Sequence, residues 1–230
     1  VNLASALSSR DGDTVLVDLD TVSPAIAQRL DIPILPNLLT ATDHVRRSRF
    51  GPDSVVAHSS GFDVIPGLAN PKEWDALSLV DVGELLDALA DEYSVTLTVV
   101  HQVLEDLAPL SGLEGRFDLG RHAVEEADEV IVATAGSPVG LVQALATIAD
   151  VRSLTEAPIH VAVNRMPSDG FRRAEWSREL ARTFSPASLW FLPTDSRVSE
   201  AAWDGRLPDR GRFRKAVRSM TRELTEQWVS

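Results

Sequence analysis

The segment Thr14-Val15-Leu16-Val17-Asp18-Leu19-Asp20 restricts the fold more than any other part of the chain. Its apolar centre, Val15-Leu16-Val17 with Leu19, shows no alternation and reads as a strand covered on both faces, the kind that sits inside a parallel sheet. It ends in two carboxylates. Open α/β sheets bind ligands beyond the carboxyl ends of their strands, so this charge arrives where a site is expected. Ahead of it, Asn2 to Ser9 reads as a helix and Asp11-Gly12-Asp13 as the turn that closes it.

Similar apolar runs alternate with amphipathic segments along the rest of the chain. That pattern predicts a doubly wound α/β fold, with a mostly parallel sheet and helices on both faces. Expected strands are Thr14–Leu19, a hairpin from Ser54–His58 and Phe62–Ile65, then Val95–Val100, Glu129–Thr134, Ile159–Val163 and Leu189–Leu192. Expected helices are Pro24–Leu30, Asn37–Val45, Asp81–Glu92 with Asp81 as its cap, Phe117–Ala127, Val139–Leu154 opened by Ser137 and Pro138, Arg172–Thr183, Arg197–Trp203 and Arg212–Trp228. Leu104–Gly115 reads as loop or irregular helix. With 230 residues and neither repeat nor linker, one domain over 1–230 is the economical organisation. The opening in mid-helix on Val1 suggests an N-terminally truncated domain.

Several chemistries are excluded by what the residues lack. There is no cysteine, hence no disulfide, thiolate metal site or thiol nucleophile. The five histidines are scattered without metal-ligand spacing, and no Gly-x-Ser-x-Gly elbow occurs. A phosphate-binding loop needs Gly-Lys-Ser/Thr, yet the only lysines, Lys72 and Lys215, follow Pro71 and Arg214. No run approaches the roughly 18 apolar residues that span a bilayer. The start lacks the charged and apolar regions of a signal peptide, and a cytoplasmic location is expected. The formal charge of −12 opposes DNA and anionic lipid in general, although Arg206, Arg210, Arg212, Arg214, Lys215, Arg218 and Arg222 crowd near the C-terminus.

Taken in order, these pieces resemble the deviant Walker-A ATPases of the ParA/MinD type, including the CpaE/TadZ branch that serves pilus assembly. Val1-Asn2-Leu3-Ala4-Ser5-Ala6-Leu7 resembles the helix that follows their phosphate-binding loop, although the loop itself does not occur here. Val15 to Asp20 resembles the strand entering their first switch. Ala127-Asp128-Glu129-Val130-Ile131-Val132-Ala133-Thr134 is similar to their fourth major strand. Val161-Ala162-Val163-Asn164-Arg165 is similar to the strand ending at a base-binding Asn. Leu192-Pro193-Thr194-Asp195, followed by Val198, Ala201 and Gly205, resembles their second base-contacting loop.

The resemblance implies ATP and Mg²⁺ as ligands, ATP-linked homodimerisation, and a role in intracellular positioning: chromosome or plasmid partitioning, septum placement or pilus assembly. It assigns Asp20 to placing the attacking water and Asp18 to the metal side; positioned water and charge compensation are what phosphoryl transfer requires. It assigns Asn164 and Arg165, with Pro193 and Asp195 facing them, to the nucleotide base. An Asn amide suits a purine edge because it donates and accepts. Each residue also has a plainer reading. Strand-end aspartates cap the next helix, Asn164 closes a local turn, and Pro193 is a simple turn residue.

The strand Val95–Val100 departs from the family by ending in His101, where an acid is expected; imidazole is a poor Mg²⁺ ligand, and a local hydrogen bond is the ordinary role of such a histidine. This gap is internal and makes a catalytically inactive scaffold or localisation protein the alternative function. On the last helix Phe213, Val217, Met220, Leu224 and Trp228 form one apolar stripe, with Arg212, Arg214, Lys215, Arg218 and Arg222 largely off it. Such a helix lies on an anionic membrane surface or along DNA, or else packs on the sheet with a solvated basic face. Peripheral association with membrane or nucleoid is the corresponding expectation, and the protein cargo is not legible.

Overall fold

A computed structural model of the chain describes residues 1–11, 13–106 and 115–228. The turn expected at Gly12 and most of the Leu104–Gly115 segment lie outside the described residues. The chain folds as two compact units, Val1–Ala123 with Ala201–Leu207, and Val124–Glu200 with Pro208–Ser230.

In the first unit the sheet order is β2-β3-β1-β4, with β1 (Thr14–Asp18), β2 (Val56–His58), β3 (Phe62–Ile65) and β4 (Val95–Val99). β1 lies between β3 and β4, parallel to both, while β2 and β3 form the expected antiparallel hairpin. All five β1 residues are buried. Alternation sends them to two faces. Val15, Val17 and Leu19 enter one core with Leu38, Ala41, Val82, Leu85 and Leu89, from α3 (Leu38–Arg46) and α4 (Leu79–Glu92). Leu16 enters the other with Ala4, Ile26 and Leu30, from α1 (Asn2–Asp11) and α2 (Ile26–Leu30). Helices thus cover both faces, which explains why consecutive residues Val15, Leu16 and Val17 are all apolar.

Some helix starts differ from the sequence reading. α4 is capped by Ser78, not Asp81: Ser78 Oγ accepts the Asp81 N–H at 3.1 Å and donates to the Asp81 carboxylate at 2.8 Å. Both residues carry cap-forming oxygens, and this reciprocal pair extends the helix by two residues. α2 begins at Ile26 because Asp18 holds the N–H groups of Ala25 and Ile26. Two short 3₁₀ turns, Pro52–Ser54 and Pro71–Ala76, form where the sequence reading had a strand start and a loop.

The second unit holds a parallel sheet in the order β5-β6-β7: β5 (Val130–Ala135), β6 (Ile159–Met166) and β7 (Leu189–Pro193). In chain order α5 (Asp118–Glu125), most of which belongs to the first unit, precedes β5, α6 (Pro138–Arg152) follows β5, α7 (Gly170–Ala181) follows β6, and α8 (Ser196–Trp203), whose end belongs to the first unit, follows β7. The last helix is α9 (Arg212–Trp228). Its Phe213, Val217, Met220 and Leu224 are buried and Trp228 is exposed. Four of the five stripe residues are therefore consumed by packing, as the fold requires of a covering helix. Arg212, Lys215, Arg218 and Arg222 are exposed, and half-buried Arg214 donates to the carbonyls of Pro208 and Asp209. Among the described residues no helix is long and apolar enough to cross a membrane.

β6 carries a fully buried His160, whose ring stacks on Trp190 at 5.2 Å with a 15° interplanar angle. Neither ring nitrogen has a hydrogen-bond partner among the described residues, and the Glu129 carboxylate stands 3.5 Å from Nε2. On the far side, Trp190 donates its indole N–H to Glu223 of α9 at 2.9 Å. Burial lowers the His160 pKa and Glu129 opposes this more weakly. In the unfolded chain the ring titrates near 6.5, so it binds a proton there before the folded form does. Stability from this group is full above that pH and is lost as pH falls toward the folded value. We expect wild type to resist urea less at about pH 5.5 than at about pH 7.5, and His160→Gln to lose that part of the slope. An identical slope in the variant refutes the assignment.

Candidate functional site

The strand-end carboxylates of β1 are both engaged by backbone. Asp18, 2% exposed, accepts the Ala25 and Ile26 N–H groups on Oδ2 at 2.9 and 3.0 Å, and the Asp20 N–H on Oδ1 at 3.2 Å. Burial raises its pKa, against the pull of these three donors. Asp20 is half-buried. Its Oδ1 accepts from Val22 and Ser23 at 2.9 and 2.8 Å, and Oδ2 has no partner among the described residues. Asp20 is thus held by one oxygen and offers the other.

The loop beyond Asp20 is clamped by a residue the sequence reading did not single out. Arg116 donates from Nε and Nη2 to the Thr21 carbonyl at 3.2 and 2.6 Å, and from Nη2 to the Pro71 carbonyl at 3.0 Å. Thr21 Oγ1 donates back to the Arg116 carbonyl at 3.0 Å. Beside it, His101 accepts the Val103 N–H on Nδ1 at 3.2 Å and stacks on Phe117 at 5.9 Å. His101 therefore has the local hydrogen bond that is ordinary for a strand-end histidine.

The other four residues belong to the second unit. Asn164 and Arg165 lie within β6, not after it, because the strand continues through an irregularity between Val163 and Met166. Both are exposed, and Arg165 has a φ of +54°. That turn lets the Arg165 N–H donate to Asn164 Oδ1 at 2.8 Å, while the Asn164 carbonyl accepts from Gly136 at 2.8 Å. Pro193 ends β7 opposite Met166, so Asn164, Arg165 and Pro193 share one end of two neighbouring strands.

Asp195 is turned inward, its side chain 4% exposed. It caps α9, accepting the Phe213 N–H on Oδ2 at 3.4 Å, and on Oδ1 the Arg197 N–H and guanidinium at 3.2 and 3.3 Å. Burial, which raises a carboxyl pKa, is outweighed here by the N–H groups of Phe213, Arg197 and Arg212 and the Arg197 charge, so Asp195 titrates below its usual value. Gly211, at φ +114°, lets α9 come this close; a Cβ there would overlap the Asp195 carboxylate.

The set fits the expected ligands unequally. Asp18 accepts two N–H groups on Oδ2 and one on Oδ1 in a buried setting, which leaves a lone pair on Oδ1. Among the described residues no group of three His, Cys, Asp or Glu could hold a metal. Asn164, with its amide exposed at a strand end, fits contact with a heteroaromatic edge.

Known structures share this arrangement of strands and helices. A ParA family ATPase from Chlorobium tepidum TLS superposes with a TM-score of 0.75 at 16% identity, over 96% of this chain and 90% of that one. The fold is that of the ParA/MinD ATPases. The septum site-determining protein MinD from Pyrococcus horikoshii OT3, complexed with Mg-ADP, superposes at 0.72 with 16% identity, over 98% and 88%. Cobyrinic acid a,c-diamide synthase from Mycobacterium smegmatis, with an ATP analogue and magnesium, gives 0.68 and 17%, over 100% and 88%. The ParA/MinD fold thus carries more than one activity, and function has to be argued from the site. No protein-family model matches the chain, and no curated protein matches it in sequence.

Proposed function

We propose that this chain is a ParA/MinD-like positioning ATPase, its two units acting as one nucleotide-binding domain that dimerises with ATP and hydrolyses it. The observation that supports this reading is Asp20. It stands at the carboxyl end of a central parallel strand, in a fold shared with nucleotide-binding ATPases, with one oxygen fixed by two N–H donors and the other unpartnered. Such a carboxylate can orient a water and take its proton. Asn164 reads the base edge, with Arg165 and the Pro193–Asp195 backbone beside it. Because α9 spends all of its apolar stripe but Trp228 on the core, an anionic membrane or DNA would be met by its exposed arginines, Lys215 and Trp228. The setting we propose is cytoplasmic, with peripheral association at most.

The experiment is ATP turnover and light scattering on the purified chain. Asp20→Asn is expected to lower kcat about 100-fold, the usual scale for a lost general base, while the ATP-dependent rise in mass persists. A second reading, a scaffold without turnover, is favoured by the end of β4, where His101 stands in place of an acid and makes only local contacts with Val103 and Phe117. Wild type that shows neither turnover nor any change of mass with ATP overturns the first reading in favour of the second.

A further inference from the structure

The segment from Asp20 to Ser23 is anchored at its two ends. Leu19 donates its N–H to the Val99 carbonyl at 2.8 Å, and Asp18 holds the Ala25 and Ile26 N–H groups. Between these anchors the backbone is fixed at Thr21, the residue directly after Asp20. Thr21 is 3% exposed and exchanges three hydrogen bonds with Arg116. Val22 and Ser23, whose N–H groups hold Asp20 Oδ1, are the next two residues. Wherever Arg116 holds Thr21, the Asp20 carboxylate follows.

Charge does not explain the clamp. The first unit carries 9 Lys and Arg against 20 Asp and Glu, yet Arg116 makes no ion pair among the described residues. It spends its donors on neutral carbonyls of two loops. A guanidinium does this because its N–H groups form a rigid planar fork; an ammonium on a flexible stem has no such fixed geometry.

We infer that Arg116 is a positioning residue for Asp20, acting through the Thr21 carbonyl. The inference rests on the role proposed for Asp20 above, and its test separates the two. Amide hydrogen exchange and ATP turnover are measured on the full chain for Arg116→Ala, Arg116→Lys and Thr21→Val. Both Arg116 variants are expected to speed exchange at Val22 and Ser23 about tenfold, with Leu16 and Val17 in β1 unchanged. Thr21→Val keeps the carbonyl and is expected to have a smaller effect. In turnover, Arg116→Lys is expected to lower kcat about tenfold at constant KM, and Arg116→Ala combined with Asp20→Ala to be no slower than Asp20→Ala alone. Unchanged protection of Val22 and Ser23 overturns the inference, as does full activity of Arg116→Lys or an added loss in the double variant. If wild type shows no turnover, the role of Asp20 falls, while exchange at the two amides still decides whether Arg116 holds its carboxylate.

Discussion

Asp18→Ala is expected to destabilise the first unit by about 3 kcal/mol, and Asp18→Asn by nearly as much, because three buried N–H donors lose a charged acceptor. α2 has five residues, and Ala25 ahead of it offers no side-chain cap. A helix this short does not pay for its own nucleation. Its first N–H groups are satisfied from β1, by Asp18 Oδ2. Asn keeps one acceptor oxygen and replaces the other with an NH₂, which faces donors whichever way the amide turns. The pH dependence follows from the raised pKa. The folded chain holds the Asp18 proton more firmly than the unfolded one, whose value is near 3.8. Wild type therefore loses this part of its stability as pH rises from 3.8 through the folded value, and is flat above it. The asparagine variant lacks that titration, so its deficit narrows over the same range. Urea denaturation followed by far-ultraviolet circular dichroism measures both. An Asp18→Asn protein as stable as wild type would refute the capping role of the carboxylate.

Asp18 also marks how far the sequence could be read. That a carboxylate ends β1 is visible in the residues, as are both the capping and the metal roles; the capping role is seen only once the positions of Ala25 and Ile26 are known. The strands were legible because continuous apolar runs have few other destinations. The stripe of α9 was legible from its spacing, but whether sheet or membrane receives it depends on β7 and Trp190, elsewhere in the chain. Arg116 gave no signal, since its partners are main-chain carbonyls 95 and 45 positions away. Backbone acceptors have no residue type, and an arginine that serves them looks like any surface arginine. The extension of β6 past Asn164 was hidden for a related reason. It needs Arg165 at positive φ, which no local preference of arginine announces.

Gly140→Ala should be among the most damaging single changes in the second unit, at about 3 kcal/mol, since overpacking against main chain cannot be relieved by a rotamer. Gly140 lies in the first turn of α6, directly over the end of β5. An added Cβ would lie well inside contact distance of the Ala135 carbonyl oxygen and 2.9 Å from its carbonyl carbon. The approach is close because three bonds draw the turn together. Ser137 Oγ accepts the Gly140 N–H at 3.1 Å, Thr134 Oγ1 donates to the Gly140 carbonyl at 2.7 Å, and Ser137 donates its N–H to the Ala135 carbonyl at 2.8 Å. To admit a methyl group, either α6 lifts from β5 or the Ala135–Gly136 link moves. The second movement disturbs the Gly136 N–H bond to the Asn164 carbonyl, which fixes the exposed Asn164 amide. Two losses are therefore expected together: a lower urea midpoint, and faster amide exchange at Gly136. Gly170 lies in the first turn of α7 with open space around it, so Gly170→Ala serves as the control and should leave stability within about 0.5 kcal/mol of wild type. Equal behaviour of the two alanine variants would mean that α6 and β5 are not packed to the limit that this turn requires.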